Sequence, residues 1–229
     1  MDGPVSRKSF LRLMLGLCLM APLSLLLPVG KPARAAANAI GKVSKVKGTA
    51  SLLRDGTQSI LTGGEEMVAG DIVTTLAESR LRIALADGSQ LNLGELTRVT
   101  VAQFDFSPET MSREAAFDLQ SGLLQAITAK AAAGSSFVIR TSNTVAATRA
   151  TEWIVEAKKA ETSVFVLEGK VDVAESALGF RSLPSIDQDK AMLLSAGQFT
   201  TVGKISLGAG PKPADAARLE KLKAELALD

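Results

Sequence analysis

The stretch Gly70–Gly94, GDIVTTLAESRLRIALADGSQLNLG, decides the fold class. Leu81, Ile83 and Leu85 alternate with Arg80, Arg82, Ala84 and Ala86. That period of two puts three aliphatic side chains on one face of a half-buried strand. Asp87-Gly88 then reverses the chain, and Leu91 and Leu93 resume the alternation with Gln90 and Asn92 opposite. The block reads as a β-hairpin whose turn residues tolerate positive φ.

The same pattern repeats on both sides of this block. Val43 to Leu53 reads as a strand pair broken by Gly48, and Asp55-Gly56, Gly63-Gly64 and Gly70-Asp71 are turn signals. Val99, Val101, Phe104 and Phe106, then Ala115, Phe117 and Leu119, flank a Ser107-Pro108 turn in a unit that Gly122 closes. Phe137 and Ile139 alternate with Val138 and Arg140. Thr162 to Leu167 is rich in β-branched and aromatic residues, and turns follow at Glu168-Gly169 and Gly197. Strands at this spacing predict an all-β domain, either a sandwich or a short β-solenoid. Val173 to Asp189 reads as a loop or an irregular crossover. A helical period occurs only at the end, where Leu219, Leu222 and Leu226 predict a short amphipathic C-terminal helix after a Gly- and Pro-rich breaker.

The N-terminus has the three parts of an export signal: basic Arg7, Lys8 and Arg12, an apolar run from Leu13 to Leu27, and Ala33-Arg34-Ala35 before the expected cleavage between Ala35 and Ala36. Residues 1–35 are therefore expected to be a cleaved signal helix, 36–206 a single β domain, and 207–229 a linker and helix. Retention as an anchor is the competing reading, but a span needs about 20 apolar residues and Pro22 and Pro28 interrupt this run. Membrane contact is confined to this segment in either case. Lys8 stands where a twin-arginine signal has its second arginine, which favours ordinary secretion. The expected location is the periplasm or the medium.

Removing the signal leaves 21 basic against 23 acidic residues, a net charge of −2. No basic stripe remains to neutralise phosphates, which argues against a nucleic-acid partner. The single cysteine, Cys18, leaves with the signal, so the core alone must stabilise the domain.

His and Tyr are absent, which removes Ser-His-Asp and Cys-His catalysis and His-based zinc sites. No cofactor is implied. Ser44-Lys45-Val46-Lys47 fits S-x-x-K numerically but lies in a strand-like run without the partner motifs. Asp87, Glu95, Glu152 and Glu168 are the carboxylates a glycan hydrolase would need to bring within about 5–9 Å. Their plainer reading is turn formation by Asp87 and Glu168 and solvation of Glu95 and Glu152. Asp187-Gln188-Asp189 lacks the oxygen ligands of a calcium loop. Arg149, Glu152 and Trp153 form a candidate interaction cluster, since Trp and Arg are enriched at binding hot spots, with core packing as the alternative for Trp153.

The motifs also fall in a recognisable order. Gly48 precedes Gly70-Asp71-Ile72-Val73-Thr74-Thr75, Leu85-Ala86-Asp87-Gly88-Ser89 and Leu91-x-Leu93-Gly94. Phe117-x-Leu119-x-x-Gly122, Phe137-Val138-Ile139-Arg140-Thr141, Arg149-Ala150-Thr151-Glu152-Trp153, Val166-Leu167-Glu168-Gly169-x-Val171 and Ala196-Gly197-Gln198 follow. This series resembles the periplasmic domain of the FecR family, over about Ala39 to Thr201. Ala150 replaces the glycine usual in that family's Arg-Gly-Thr-x-Phe motif, and local geometry there is expected to differ. The resemblance implies a binding or signal-receiving module in the bacterial envelope whose partner is a protein or a glycan. Only about twelve residues precede the apolar run, so no direct sigma-factor contact is expected. A carboxylate-dependent glycan hydrolase or a polysaccharide-binding protein is the alternative.

Overall fold

The computed structural model describes residues 39–148, 151–176, 191–203 and 210–228. The Ala35–Ala36 junction, Arg149 and Asp187-Gln188-Asp189 lie outside these residues.

Among the described residues, the period-two runs become 17 strands in two sheets that share one member. In spatial order, sheet A runs β4 (Glu66–Met67), β1 (Gly41–Lys47), β6 (Arg80–Leu85), β7 (Gln90–Leu93), the end of β9 (Ser112–Ile127), β12 (Glu152–Ala157), β13 (Glu161–Glu168), β16 (Gln198–Gly203) and β17 (Lys212–Pro213). Sheet B runs β3 (Thr57–Ile60), β2 (Ala50–Arg54), β5 (Ile72–Thr75), β8 (Arg98–Ser107), the start of β9, β10 (Ser136–Arg140), β11 (Thr144–Thr148), β14 (Lys170–Glu175) and β15 (Met192–Ser195). All these pairings are antiparallel except β9–β10. A solenoid would stack successive turns in parallel, so the architecture is sandwich-like, and neither sheet closes.

The opening hairpin forms as its alternation requires. Leu81, Ile83 and Leu85 are buried on β6, paired to β7 with Ile83 opposite Leu91. They join one core drawn from both sheets, with Val43, Leu93 and Trp153 from sheet A and Leu52, Val73 and Phe137 from sheet B. Val43 to Leu53 is corrected in one respect: β1 and β2 are both strands, but Gly48 sends them to different sheets rather than into a pair.

Gly122 likewise does not end its unit. At φ +94° it lets β9 leave β8 after Ser121 and continue between β7 and β12. A Cβ at Gly122 would lie 2.4 Å from Thr97 Oγ1 and 2.5 Å from Thr97 Cα, so a side chain has no room there. Thr97 is fully buried at this crossing, and its hydroxyl accepts the Leu123 amide hydrogen at 2.9 Å. The Thr75 hydroxyl in turn accepts from the Thr97 amide and donates to the Gly94 carbonyl. Two threonines thus satisfy backbone groups that a change of sheet would leave buried and unpaired.

The predicted C-terminal helix is α1 (Ala216–Leu226), with the Asp215 carboxylate accepting the Ala217 amide hydrogen at its N-terminus. Leu222 and Leu226 are buried against Leu123, Ile154 and Phe165 on the outer face of sheet A, with Leu219 beside them. Arg80 Nε donates to the Glu225 carbonyl at 2.6 Å, which satisfies the end of the helix. Arg218 lies 4.9 Å from the centre of the Phe165 ring and bonds Glu156 at 2.9 Å. Together with β17, the helix makes the tail part of one compact unit, 37–229.

Candidate functional site

The turn at Asp87-Gly88 fixes one end of the sandwich. The Leu85 carbonyl accepts the Gly88 amide, and Gly88 takes φ +85°. Asp87 Oδ1 accepts the Ser89 amide at 2.9 Å, and Oδ2 accepts the Ser89 hydroxyl at 2.7 Å. Oδ2 also pairs with Arg113 Nη1 from β9. Both side chains are buried, and the Arg113 guanidinium lies 5.1 Å from the centre of the Phe137 ring. Ser89 Oγ accepts the Ala129 amide hydrogen at 2.9 Å. The turn is thereby tied to both the beginning and the continuation of β9. A buried ion pair holds only where each charge has such partners.

Beside this clamp lies an open groove of about 950 Å³. Its walls come from the β8–β9 hairpin, from Ala39-Ile40, from Ala69 and Ala86, and from the segment Ala133–Ser135 before β10. Met111, at φ +54°, closes the hairpin loop and sets the register that places Asp105 opposite Glu114. Arg113 turns inward to Asp87, whereas the next residue, Glu114, is exposed. Phe104 and Phe106 line the groove half-buried, and Ile40 is its most buried apolar wall. Gln103 Nε2 donates to Asp105 at 2.8 Å and to Glu114 at 3.3 Å, so one amide bridges two carboxylates.

The candidate acids do not gather at this groove. Asp87 is held by Arg113. Glu95 accepts the Glu78 amide hydrogen at 2.8 Å at the far end of β7. It stands five residues beyond Gln90, or about 16 Å along an extended chain. Glu152 and Glu168 are brought opposite each other on β12 and β13, and neither lines the groove. Glu152 ends a polar row across the outer face of sheet A, in which Arg82 Nε donates to Asn92, Asn92 to Gln125, and Gln125 to Glu152 at 2.8–2.9 Å. Ser44 of the S-x-x-K match donates to the Arg82 carbonyl from β1. Among the described residues, no three His, Cys, Asp or Glu side chains group as metal ligands.

Trp153 must be removed from the interaction cluster. It is fully buried in the core, because its place on β12 opposite Val166 and Ala126 points it inward. Glu152, one residue earlier, faces out. Gly70, Gly169 and Gly197 have φ from +79° to +91°, with Gly169 between β13 and β14 and Gly197 between β15 and β16.

Asp71 does more than occupy a turn. It is fully buried and accepts Arg54 Nε and Nη2 at 2.7 Å each, and the Val68 amide hydrogen at 2.8 Å. This bidentate bond raises the Arg54 pKa above its ordinary value. The sequence reading missed Arg54, Arg113 and the Asp105–Glu114 pair. The pair was within reach, since counting back equally from both sides of the Ser107–Ser112 turn brings the two acids into register.

Comparison with known proteins bears on residues 71–172, which match the family model described as FecR protein. Two crystal structures of a candidate anti-sigma factor from Parabacteroides distasonis ATCC 8503 are similar at 17% identity and a TM-score of 0.48, covering 65% of this chain and 62% of theirs. The matched part thus spans less than two thirds of those chains. A structure described as a cell surface anchoring domain matches at 27% identity over 27% of this chain and 83% of its own, with a TM-score of 0.26. No curated protein matches the chain. The matched residues run from the start of β5 into β14 and include the strand common to both sheets, and residues 71–172 are a FecR-family domain.

Proposed function

We propose that this chain is an exported, non-enzymatic FecR-type module that binds another component of the bacterial cell envelope in surface signalling. The observation that carries the reading is the open groove beside the Asp87–Arg113 clamp, a concave surface on a scaffold fixed by buried ion pairs. The candidate catalytic acids lie away from that groove or are tied into the fold, which weakens the glycan-hydrolase alternative. The family match supports a signalling role. The basic and apolar N-terminal segment supports export, with cleavage between Ala35 and Ala36.

Crosslinking in intact cells, followed by identification of the captured proteins, tests the proposal. One envelope protein should be recovered reproducibly, and the exported chain should begin at Ala36. Recovery of no specific envelope component, or release of reducing sugars from cell-wall glycans by the purified protein, would contradict it.

A further inference from the structure

We propose that the free edge of β3 pairs with the same edge of a second copy of this chain, antiparallel and centred on Ser59. The contact is separate from the groove and from whatever the groove binds. Asp55 and Gly56, at φ +52° and +77°, form a two-residue turn that sets Arg54 opposite Thr57. Beyond such a turn, the backbone groups of alternate residues point into the hairpin and away from it. The Leu61 amide donates to the Ala50 carbonyl at 2.8 Å, so the backbone groups of Leu61, Ser59 and Thr57 are directed at β2. Those of Gln58 and Ile60 point outward, and none of these N–H and C=O groups has a partner among the described residues.

Every residue of β3 is exposed, Ile60 at 63%. Sheet edges are commonly protected by brevity, charge or proline. At the borders of sheet A, β4 has two residues, one of them Glu66, and β17 is Lys212-Pro213. β3 has none of these devices, and its Thr57, Gln58, Ser59 and Ile60 are all uncharged. A second copy fits because the edge is self-complementary. With Ser59 opposite Ser59, Gln58 of each copy exchanges both backbone hydrogen bonds with Ile60 of the other, and every outward group is satisfied. Each Ile60 side chain then lies beside the other copy's Gln58. The same register sets Thr57 opposite Leu61, Gly56 opposite Thr62 and Asp55 opposite Gly63, so no like charges meet. An uncharged strand also gives a foreign partner no charge to recognise. So short an edge buries less than the roughly 1,200 Å² of a stable interface, which makes the dimer weak and dependent on concentration.

Disulfide trapping tests the register. With Cys18 replaced by Ser, Ser59→Cys places a single thiol in the full chain. The two Ser59 residues form a non-hydrogen-bonded pair, about 4.5 Å between Cα atoms, which a disulfide spans. Oxidised glutathione should link two copies through Ser59→Cys about tenfold faster than through Thr57→Cys, whose two positions stand roughly 14 Å apart along the strands. Sedimentation of the parent chain at rising concentration should show a reversible dimer. Ser59→Lys should weaken that dimer about tenfold or more by setting like charges face to face. Its melting temperature should match the parent's, because Ser59 is exposed. Mixing Ser59→Lys and Ser59→Glu chains should restore the dimer. Equal trapping through Thr57→Cys and Ser59→Cys, a monomer at every concentration up to about 1 mM, or a dimer indifferent to Ser59→Lys would overturn the proposal. A photo-crosslinker at Gln58 that captures a different envelope protein in intact cells, and no second copy, would assign the edge to a partner's strand and also overturn it.

Discussion

Gly122→Ala tests the mechanism by which one strand serves two sheets. The substitution adds a single methyl group with two separable consequences. At φ +94°, an L-residue is forced into left-handed backbone, which costs about 1–2 kcal/mol. The new Cβ would also lie 2.5 Å from Thr97 Cα, a backbone atom that cannot rotate away, and overpacking of this kind costs about 1–3 kcal/mol. Together these give a loss of roughly 2–5 kcal/mol from a total stability of about 5–15 kcal/mol. Gly56→Ala and Gly197→Ala are the controls. Both positions have positive φ, +77° and +79°, but nothing lies within 4 Å of their Cβ positions. They should lose only about 1–2 kcal/mol each. Urea unfolding followed by Trp153 fluorescence measures all three, and a shift in midpoint at constant slope reports stability itself. In a thermal scan, Gly122→Ala should fall by roughly 5–15 °C. Equal losses at Gly122 and Gly56 would refute the claim that close approach to Thr97 matters. A gain at Gly122 would refute the account of the kink altogether.

Arg113→Met should cost about 3–5 kcal/mol in urea unfolding, because it leaves Asp87 buried without its cation; adding Asp87→Asn should recover part of that loss. Glu156 gives the helix a pH dependence. Burial acts to raise its pKa, but hydrogen bonds from Lys158 and Arg218 outweigh that effect and hold it below the ordinary 4.5. Its folded pKa is thus the lower one, so its contribution is complete above the unfolded value and lost as pH falls through the folded value. Proteolysis or hydrogen exchange of α1 should accelerate below about pH 4.5, and Glu156→Gln should flatten that response. Leu222→Ala should cost about 2–5 kcal/mol, since it opens a cavity on the outer face of sheet A; an unchanged melting temperature would show that α1 does not share the core's stability.

The alternation of Leu81, Ile83 and Leu85 identified a strand and its buried face because the period of side chains along a strand is local. The same locality explains why the C-terminal stripe was legible as a helix before anything showed what it packs on. Trp153 was harder to place, because a tryptophan suits both a core and an interface. One residue of strand parity decided it, turning Trp153 inward and Glu152 outward. Asp87-Gly88 was readable as a turn, but the partner that makes Asp87 a buried anchor stands 26 residues away. No short window contains both.

From the sequence alone follow the all-β class, the hairpin at Gly70–Gly94, the lack of histidine chemistry and the ordered motifs of a FecR domain. Each depends on residue types or on spacings of a few positions. Only the tertiary structure decides that Gly48 parts two strands into different sheets, that Gly122 bends one strand through both, and that Arg113 on β9 reaches Asp87. Those outcomes depend on pairing between distant segments and on the space left when they pack. Neither is a property of the neighbouring residues.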